Sequence, residues 1–270
     1  MTADTNAEAR SHDRASAAPL LRLSGVGKNF GPVQALQNVD LEIRPGEVLA
    51  LVGDNGAGKS TMIKTISGIW GADSGKIFWE GQHVHIRNPR DAAALGIATM
   101  YQDLALCDNL DIVQNMFLGR EPTPRLLLDE TAMEIQARQT LSDLSVTTVR
   151  SIRQPVGSLS GGQRQAVAVA RAVLEDAKLV IMDEPTAALG VSQTAMVLRL
   201  VKSLSERGVA VLLISHNLND VFAVADTLAA LYLGRIAGVM KIADVDTQRA
   251  VELITTGAIA KTSKNGSGEG

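Results

Sequence analysis

One cysteine, Cys107, stands among 270 residues. That excludes an internal disulfide and any multi-cysteine metal site. Aromatics are also scarce, with four Phe, two Trp and two Tyr, so the core has to come from Val, Ile, Leu, Ala and Met. No uncharged apolar run nears the roughly 18–20 residues that a membrane span needs. The strongest runs, such as Val209 to Ile214, have the length of buried strands. The N-terminal stretch carries Asp4, Glu8 and Asp13 and no apolar segment, which is not the pattern of a signal peptide. Charge of one sign is missing as well: 26 Lys and Arg face 29 Asp and Glu, a formal net charge of −3. No broad electrostatic field invites nucleic acid. The chain reads as a soluble, cytosolic protein with no nucleic-acid partner.

What is present is ordinary in amount, 46% hydrophobic and 20% charged, and sufficient for a large core. Residues 1–18 are polar and rich in Ala and Ser, and 259–270 close in KTSKNGSGEG. Both read as mobile tails, with too little apolar surface to offset the entropy of ordering. Between them, across 19–258, short apolar runs alternate with longer amphipathic ones, which predicts an α/β fold with a mostly parallel sheet covered by helices. Strands are expected at Leu20–Leu23, Glu47–Val52, Lys76–Trp79, Ile97–Tyr101, Leu179–Met182, Val209–Ile214, Thr227–Tyr232 and Ile236–Val239. Helices are expected to start near Lys59, Pro89, Asp129, Gly161, Ser192 and Asn217. One stretch breaks the rhythm. From about 88 to 158, helical patterns at Asp111–Phe117 and Glu130–Leu144 flank the loop GREPTPR, with almost no strand between them. It reads as a helical lobe inserted into the α/β core.

Gly53-Asp54-Asn55-Gly56-Ala57-Gly58-Lys59-Ser60 fits the pattern G-x-x-x-x-G-K-[ST] and runs on into Thr61. The buried-strand run Val48–Val52 precedes it and a helical pattern follows, the context the motif requires. Glycines let backbone N–H groups curl round phosphate oxygens, and the helix start adds partial positive charge. Lys59 is placed for the β- and γ-phosphates, and the Ser60 hydroxyl for Mg²⁺. The expected ligand is a nucleotide.

A second apolar run, Leu179–Met182, ends in Asp183 and Glu184, at the strand end where open α/β sheets place ligands. Alone, an Asp-Glu pair after a strand is often a solvated loop. Beside a phosphate loop it reads as a hydrolytic site, with Asp183 holding Mg²⁺ through water and Glu184 orienting or deprotonating the attacking water. Between the two motifs lies Leu159-Ser160-Gly161-Gly162-Gln163, opening an Ala/Val-rich helix. A small hydroxyl and exposed N–H groups at a helix start form another anion-binding geometry. Capping of that helix by Ser160 is the simpler alternative and is compatible with it. The chain thus carries two phosphate-facing surfaces and one nucleotide loop.

LSGGQ, with the phosphate loop before it and the strand-Asp-Glu after it, resembles the ATP-binding cassette family, the ATPases of ABC transporters, over about 20–255. The resemblance implies a P-loop NTPase core of the ABC ATPase type with an inserted helical lobe and an antiparallel β portion. It implies ATP and Mg²⁺ as cofactors and hydrolysis coupled to transport. Gln102 in MYQD is similar to the family's glutamine that contacts Mg²⁺ or the attacking water and links core to lobe. His216 in LLISHN is similar to the histidine that contacts the γ-phosphate, and Phe30 in KNFG to the aromatic that stacks on adenine. Without the family, Gln102 is a surface residue, His216 a capping or buried histidine, and Phe30 a core aromatic. His83 and His85 alternate on an expected strand, but no third ligand makes them a metal pair.

In that family two cassettes pair head to tail, so that LSGGQ of one closes over ATP on the phosphate loop of the other. One cassette per chain implies a homodimer, or pairing with a second ATPase subunit. Transmembrane permease subunits would dock near Gln102 to Phe117, with a periplasmic sugar-binding protein engaged indirectly. The chain would then sit at the cytoplasmic face of the cell membrane. ALVGDNGAGKST, MYQDLALCDNLDIVQNMFLGREP and MDEPTAALGV resemble the monosaccharide-import branch (ribose, xylose and fructose type), and the single cassette resembles its fructose-type members. The sequence departs from the family once. Where Ala-Leu-Asp is usual it has Ala188-Leu189-Gly190, which removes a carboxylate from the contact between cassettes. Other classes fit less well: no sustained heptads separate Lys59 from Leu159, as DNA-repair types need, and Asn217–Asp220 is not a guanine reader.

Overall fold

Two patterns of apolar residues build two sheets. The computed structural model describes residues 18–258, apart from 102, 124–126, 145, 147 and 175. The expected tails therefore lie outside the described residues, save position 18. Along the chain, β1 (Leu21–Phe30) and β2 (Val33–Ile43) form a hairpin, and β3 (Val48–Val52) leads into α1 (Lys59–Ile66). A second hairpin joins β4 (Ser74–Trp79) and β5 (Gln82–Val84). Then come α2 (Pro89–Ala94), β6 (Ile97–Met100), α3 (Ile112–Phe117), α4 (Glu130–Asp143) and α5 (Gly161–Leu174). The chain continues through β7 (Leu179–Asp183), α6 (Val191–Glu206), β8 (Ala210–Ile214), α7 (Leu218–Val224), β9 (Thr227–Tyr232), β10 (Arg235–Lys241) and α8 (Thr247–Thr256).

The six-stranded sheet has the order β10-β9-β3-β8-β7-β6 and is parallel except for β10, which pairs antiparallel with β9. The four-stranded sheet, β2-β1-β4-β5, is antiparallel throughout. Near-continuous apolar runs such as Val48–Val52 and Ala210–Ile214 are buried along their whole length, as strands covered on both faces must be. Because side chains alternate across a strand, each run feeds two cores. Leu179, Ile181, Leu212 and Ile214 pack with the antiparallel sheet and α1, against Leu21, Leu23, Ile43 and Ile63. Val180, Met182, Val211 and Leu213 point the other way, into α5, α6 and the helices of 112–143. Each fully buried side chain of this size contributes about 1.5–3 kcal/mol relative to exposure. The sandwiched sheet is the rigid frame, and the C-terminal ends of β3, β7 and β8 form one edge of it.

The sequence reading missed β2 and α8 and shortened β1, which was expected only at Leu20–Leu23. In the β1–β2 hairpin the register shifts between Leu23 and Val26 and again towards Lys28. Gly25 and Asn38 both take positive φ, 62° and 49°. Those irregularities break the strict alternation by which a half-buried strand is recognised. Within the span 88–158 read as an inserted helical lobe, Ile97–Met100 belongs to the central sheet, so the strand-free stretch begins only after Met100. There, α3 starts on a capping box made by Asp111 and Gln114, and α4 on an Asp129 cap; both helices pack on α5. Among the described residues, no helix is long and apolar enough to cross a membrane.

Candidate functional site

The edge where β3, β7 and β8 end holds a cavity of about 560 Å³, which Gly56, Lys59, Ser60, Asp183 and Glu184 line together. Two segments that the sequence reading did not single out complete it: Val33 to Gln37 at the start of β2, and Leu233–Gly234 in the β9–β10 turn.

The phosphate loop owes its path to close approaches that only glycine permits. A Cβ on Gly53 would collide with the carbonyl oxygen of Leu231 on the neighbouring strand. Gly58 has φ 108°, and a Cβ there would lie 2.7 Å from the Ala35 carbonyl oxygen. Gly58 is also the N-cap of α1, and no side chain caps that first turn. The helix therefore presents its leading N–H groups and the positive end of its dipole to the cavity. Lys59 Nζ donates to the carbonyls of Gly53 (2.7 Å) and Asp54 (3.0 Å), so the ammonium sits over the loop it belongs to. Asn55, Gly56, Gly58, Ser60 and Thr61 line the cavity; Gly53, Asp54 and Ala57 are not among its lining residues. Ala57 N–H donates to Asp54 O, and its carbonyl accepts from Gly234 N, so this residue braces the turn.

Asp183 ends β7, paired with Ile214 on β8, and the Glu184 N–H donates to Ile214 O at 2.9 Å. Glu184 then turns into the left-handed region, φ 50°, a strained place for a residue with a Cβ. That turn aims its carboxylate at His216, beyond the end of β8, with Oε2 2.7 Å from Nδ1. When Nδ1–H donates to this carboxylate, the other ring nitrogen is left as an acceptor. The imidazole is 72% exposed and the Glu184 side chain 20%, so the histidine reaches out from a more sheltered acid. Burial, and then the adjacent Glu184 charge, push the Asp183 carboxyl above its ordinary range, against the pull of Lys59 and Lys64.

Phe30, at the end of β1, is not buried in the core; it is 40% exposed. Its ring meets Trp70 edge-on at 4.7 Å, with Lys28 Nζ 5.5 Å from its centroid. Trp70, which no sequence motif marks, holds that ring in place. His83 and His85 do share a side, with ring centroids 4.6 Å apart, and among the described residues no third ligand joins them. Gln102 lies outside the described residues.

The Ser160 turn is not among the residues that line the cavity of the phosphate loop. Ser160 N donates to Gln163 Oε1 at 2.9 Å and Gln163 N donates to Ser160 Oγ at 3.4 Å, a reciprocal cap, while Gln163 Nε2 donates to Thr148 O at 2.7 Å. Gly161 and Gly162 have a packing role as well. A Cβ on Gly161 would meet Leu189 Cδ2 at 2.6 Å, and one on Gly162 would meet Met196 Cε at 2.5 Å. Gln165, one turn on, donates to the Pro185 carbonyl, tying α5 to the loop after Glu184. Gly190 is the N-cap of α6 and supplies no capping side chain.

Known proteins resemble this chain over most of its length. Residues 36–187 match the family model described as ABC transporter. The fructose import ATP-binding protein of Rhizobium meliloti is 48% identical over 244 residues, covering 88% of this chain and 94% of that protein. The xylose/arabinose import ATP-binding protein of Sulfolobus acidocaldarius is 46% identical over 242 residues, covering 90% of this chain and 96% of its own length. Among solved structures, a dimeric post-hydrolysis ATP-binding cassette bound to ADP and Pi matches with TM-score 0.68 and 25% identity, over 82% of this chain and 98% of that one. With a phosphate loop, a strand ending in Asp183-Glu184 and an LSGGQ helix on one α/β frame, the chain belongs to the ABC transporter family, as one of its ATP-binding cassettes.

Proposed function

We propose that this chain is the ATP-hydrolysing subunit of an importer for a monosaccharide of the fructose, ribose or xylose type. The observation that carries the reading is the convergence of Lys59, Ser60, Asp183 and Glu184 on one cavity, with His216 on the Glu184 carboxylate. ATP binds through the N–H groups of the loop Gly53–Thr61, with Lys59 leaving its loop carbonyls for the β- and γ-phosphates and Phe30 flanking the base. Mg²⁺ fits the donor set, since the Ser60 hydroxyl and the half-buried Asp183 carboxylate are hard oxygen ligands in the same cavity, and Gln102 is the proposed further contact. Bound there, Mg²⁺ would neutralise charge on the terminal phosphates. Glu184 accepts the proton of the attacking water, and His216 fixes the orientation of that carboxylate while reaching for the γ-phosphate.

The Ser160 turn lies outside the cavity of its own loop, which supports pairing of two chains head to tail, most simply as a homodimer. Permease subunits dock in the groove between α2 and α5, where Ala92, Met100, Tyr101, Leu104, Ala168 and Ala172 form the walls. The chain is thereby peripheral to the cytoplasmic face of the membrane, and a periplasmic sugar-binding protein supplies the permease. The named cargo of the two relatives supports a monosaccharide. Glu184→Gln tests the reading: ATP binding persists while turnover of the purified chain falls by about 10²–10⁴-fold, the worth of a positioned base. Near-normal turnover would remove Glu184 from that role.

A further inference from the structure

The segment leading into the Ser160 turn is stitched to a distant part of the chain. Val113 N donates to Ile152 O at 3.4 Å, Val156 N to Leu110 O at 3.0 Å and Gly157 N to Asp108 O at 2.9 Å. Asp111 and Pro155 add an isolated antiparallel bridge. Each side of this seam has its own fastener. On one side, the fully buried Asn115 amide accepts from Cys107 N (2.7 Å) and reaches the carbonyls of Cys107 (3.0 Å), Leu110 (3.2 Å) and Asp111 (3.0 Å). The turn 107–111 is thereby closed on a single side chain.

On the other side stands Arg153. Its Nε donates to Glu134 Oε1 (2.7 Å), Nη1 to Asp111 Oδ2 (3.1 Å) and Nη2 to Glu130 Oε2 (2.8 Å). Asp111 caps α3, and Glu130 and Glu134 lie one turn apart on α4. One planar guanidinium thus joins the loop before the Ser160 turn to two helices at once, a task suited to the arginine fork and not to a lysine. Neither Asn115 nor Arg153 lines the nucleotide cavity.

We infer that Asn115 and Arg153 are positioning residues for hydrolysis on the partner chain: they fix the Ser160 turn at the place where it closes over the nucleotide held by the other copy. This rests on the head-to-tail pairing proposed above. The fasteners act on the turn that a chain offers to its partner and leave the phosphate loop of the same chain untouched.

Arg153→Gln in the full chain is the test. Its side chain is 34% exposed, so water can solvate the carboxylates left behind and the fold survives the change. Asp111→Asn keeps a good helix cap while removing the carboxylate charge, and serves as the second variant. In both, turnover falls by about 3- to 30-fold, in line with the coupling carried by such networks. ATP affinity of the single chain stays at the wild-type value while the melting midpoint falls modestly, because the three carboxylates lose their shared cation, and Arg153→Lys recovers little. Mixing decides where the defect acts. Arg153→Gln chains mixed with Lys59→Ala chains regain turnover, because the hybrid seam joins a sound phosphate loop to a sound Ser160 turn; Ser160→Arg mixed with Lys59→Ala is the control. Wild-type turnover in both variants, a loss of single-chain ATP affinity, or recovery in the control pair alone overturns this inference and leaves the pairing standing. Recovery in neither pair overturns the pairing, and this inference with it.

Discussion

Two helices of this chain start on glycine-rich turns, and they start differently. α1 follows a left-handed Gly58 with no side chain capping its first turn, and its lysine rests on loop carbonyls. α5 opens on a reciprocal bond between Ser160 and Gln163, whose amide is further anchored to Thr148. The first turn leaves its donors for a ligand, so the phosphate loop is a complete anion site within one chain. The second is satisfied at home and is held from outside by Arg153 and by Gln165 on Pro185. Under the proposed head-to-tail pairing, a surface of that kind keeps its shape until the partner's nucleotide arrives.

The comparison can be broken by giving each turn a methyl group. Gly53→Ala drives a Cβ into the Leu231 carbonyl, which is backbone of a central strand and cannot yield. The expected cost is about 1–3 kcal/mol of stability, with loss of nucleotide binding, measured by melting and by nucleotide titration. Gly162→Ala meets the tip of Met196 and the Gln193 Cβ, and a methionine end can swing aside. Alanine also gains up to about 1 kcal/mol over glycine inside a helix. Stability should therefore stay within about 1 kcal/mol of wild type while turnover drops, because the shifted turn no longer meets its target. Equal destabilisation by the two substitutions would erase the distinction between the turns.

Asp183 sharpens the contrast from the side of the charges. Its carboxyl is pushed up by burial and by Glu184, so the folded chain holds this proton more readily than the unfolded one. Stability is then lost as pH rises from the ordinary aspartate range through the raised value. Asp183→Asn removes the buried charge and should melt higher than wild type at neutral pH, the gap closing as pH falls toward the ordinary aspartate range. Hydrolysis should be absent at every pH. A lower melting point at neutral pH would contradict the assigned cause. The smallest effect belongs to Gly190, where a Cβ meets open space at the N-cap of α6. Gly190→Asp should add a few tenths of a kcal/mol through the cap, so a large change in turnover from it would come from the neighbouring cassette.

Much of this was legible before any coordinates. The phosphate loop, Asp183-Glu184 and the helix after Ser160 are local patterns, each a strand or helix start written in consecutive residues, and the structure brings the first two into one cavity. Glu184 and His216 were read separately; their bond depends on a left-handed backbone at Glu184 that no sequence pattern announces. The wall at Val33–Gln37 was missed because β2 is bulged and its apolar residues lose their period, and Leu233–Gly234 because they form a turn that no motif marks. Trp70 and Arg153 were missed for another reason: each acts on partners far along the chain, as with the 42 positions between Arg153 and Asp111. Asn115 was missed because its partners, Cys107 to Asp111, are backbone groups of a turn that no motif marks. Spacing rules reach one turn or one strand, and the long-range contacts of Trp70 and Arg153 exist only once separate segments have folded together.

The central claim is that the Ser160 turn serves a nucleotide held by another chain, and Ser160→Arg addresses it most directly. ATP affinity measured on the dilute single chain should equal that of wild type, while steady-state hydrolysis at working concentration disappears. Loss of affinity in the single chain would place the Ser160 turn at its own phosphate loop and contradict the account.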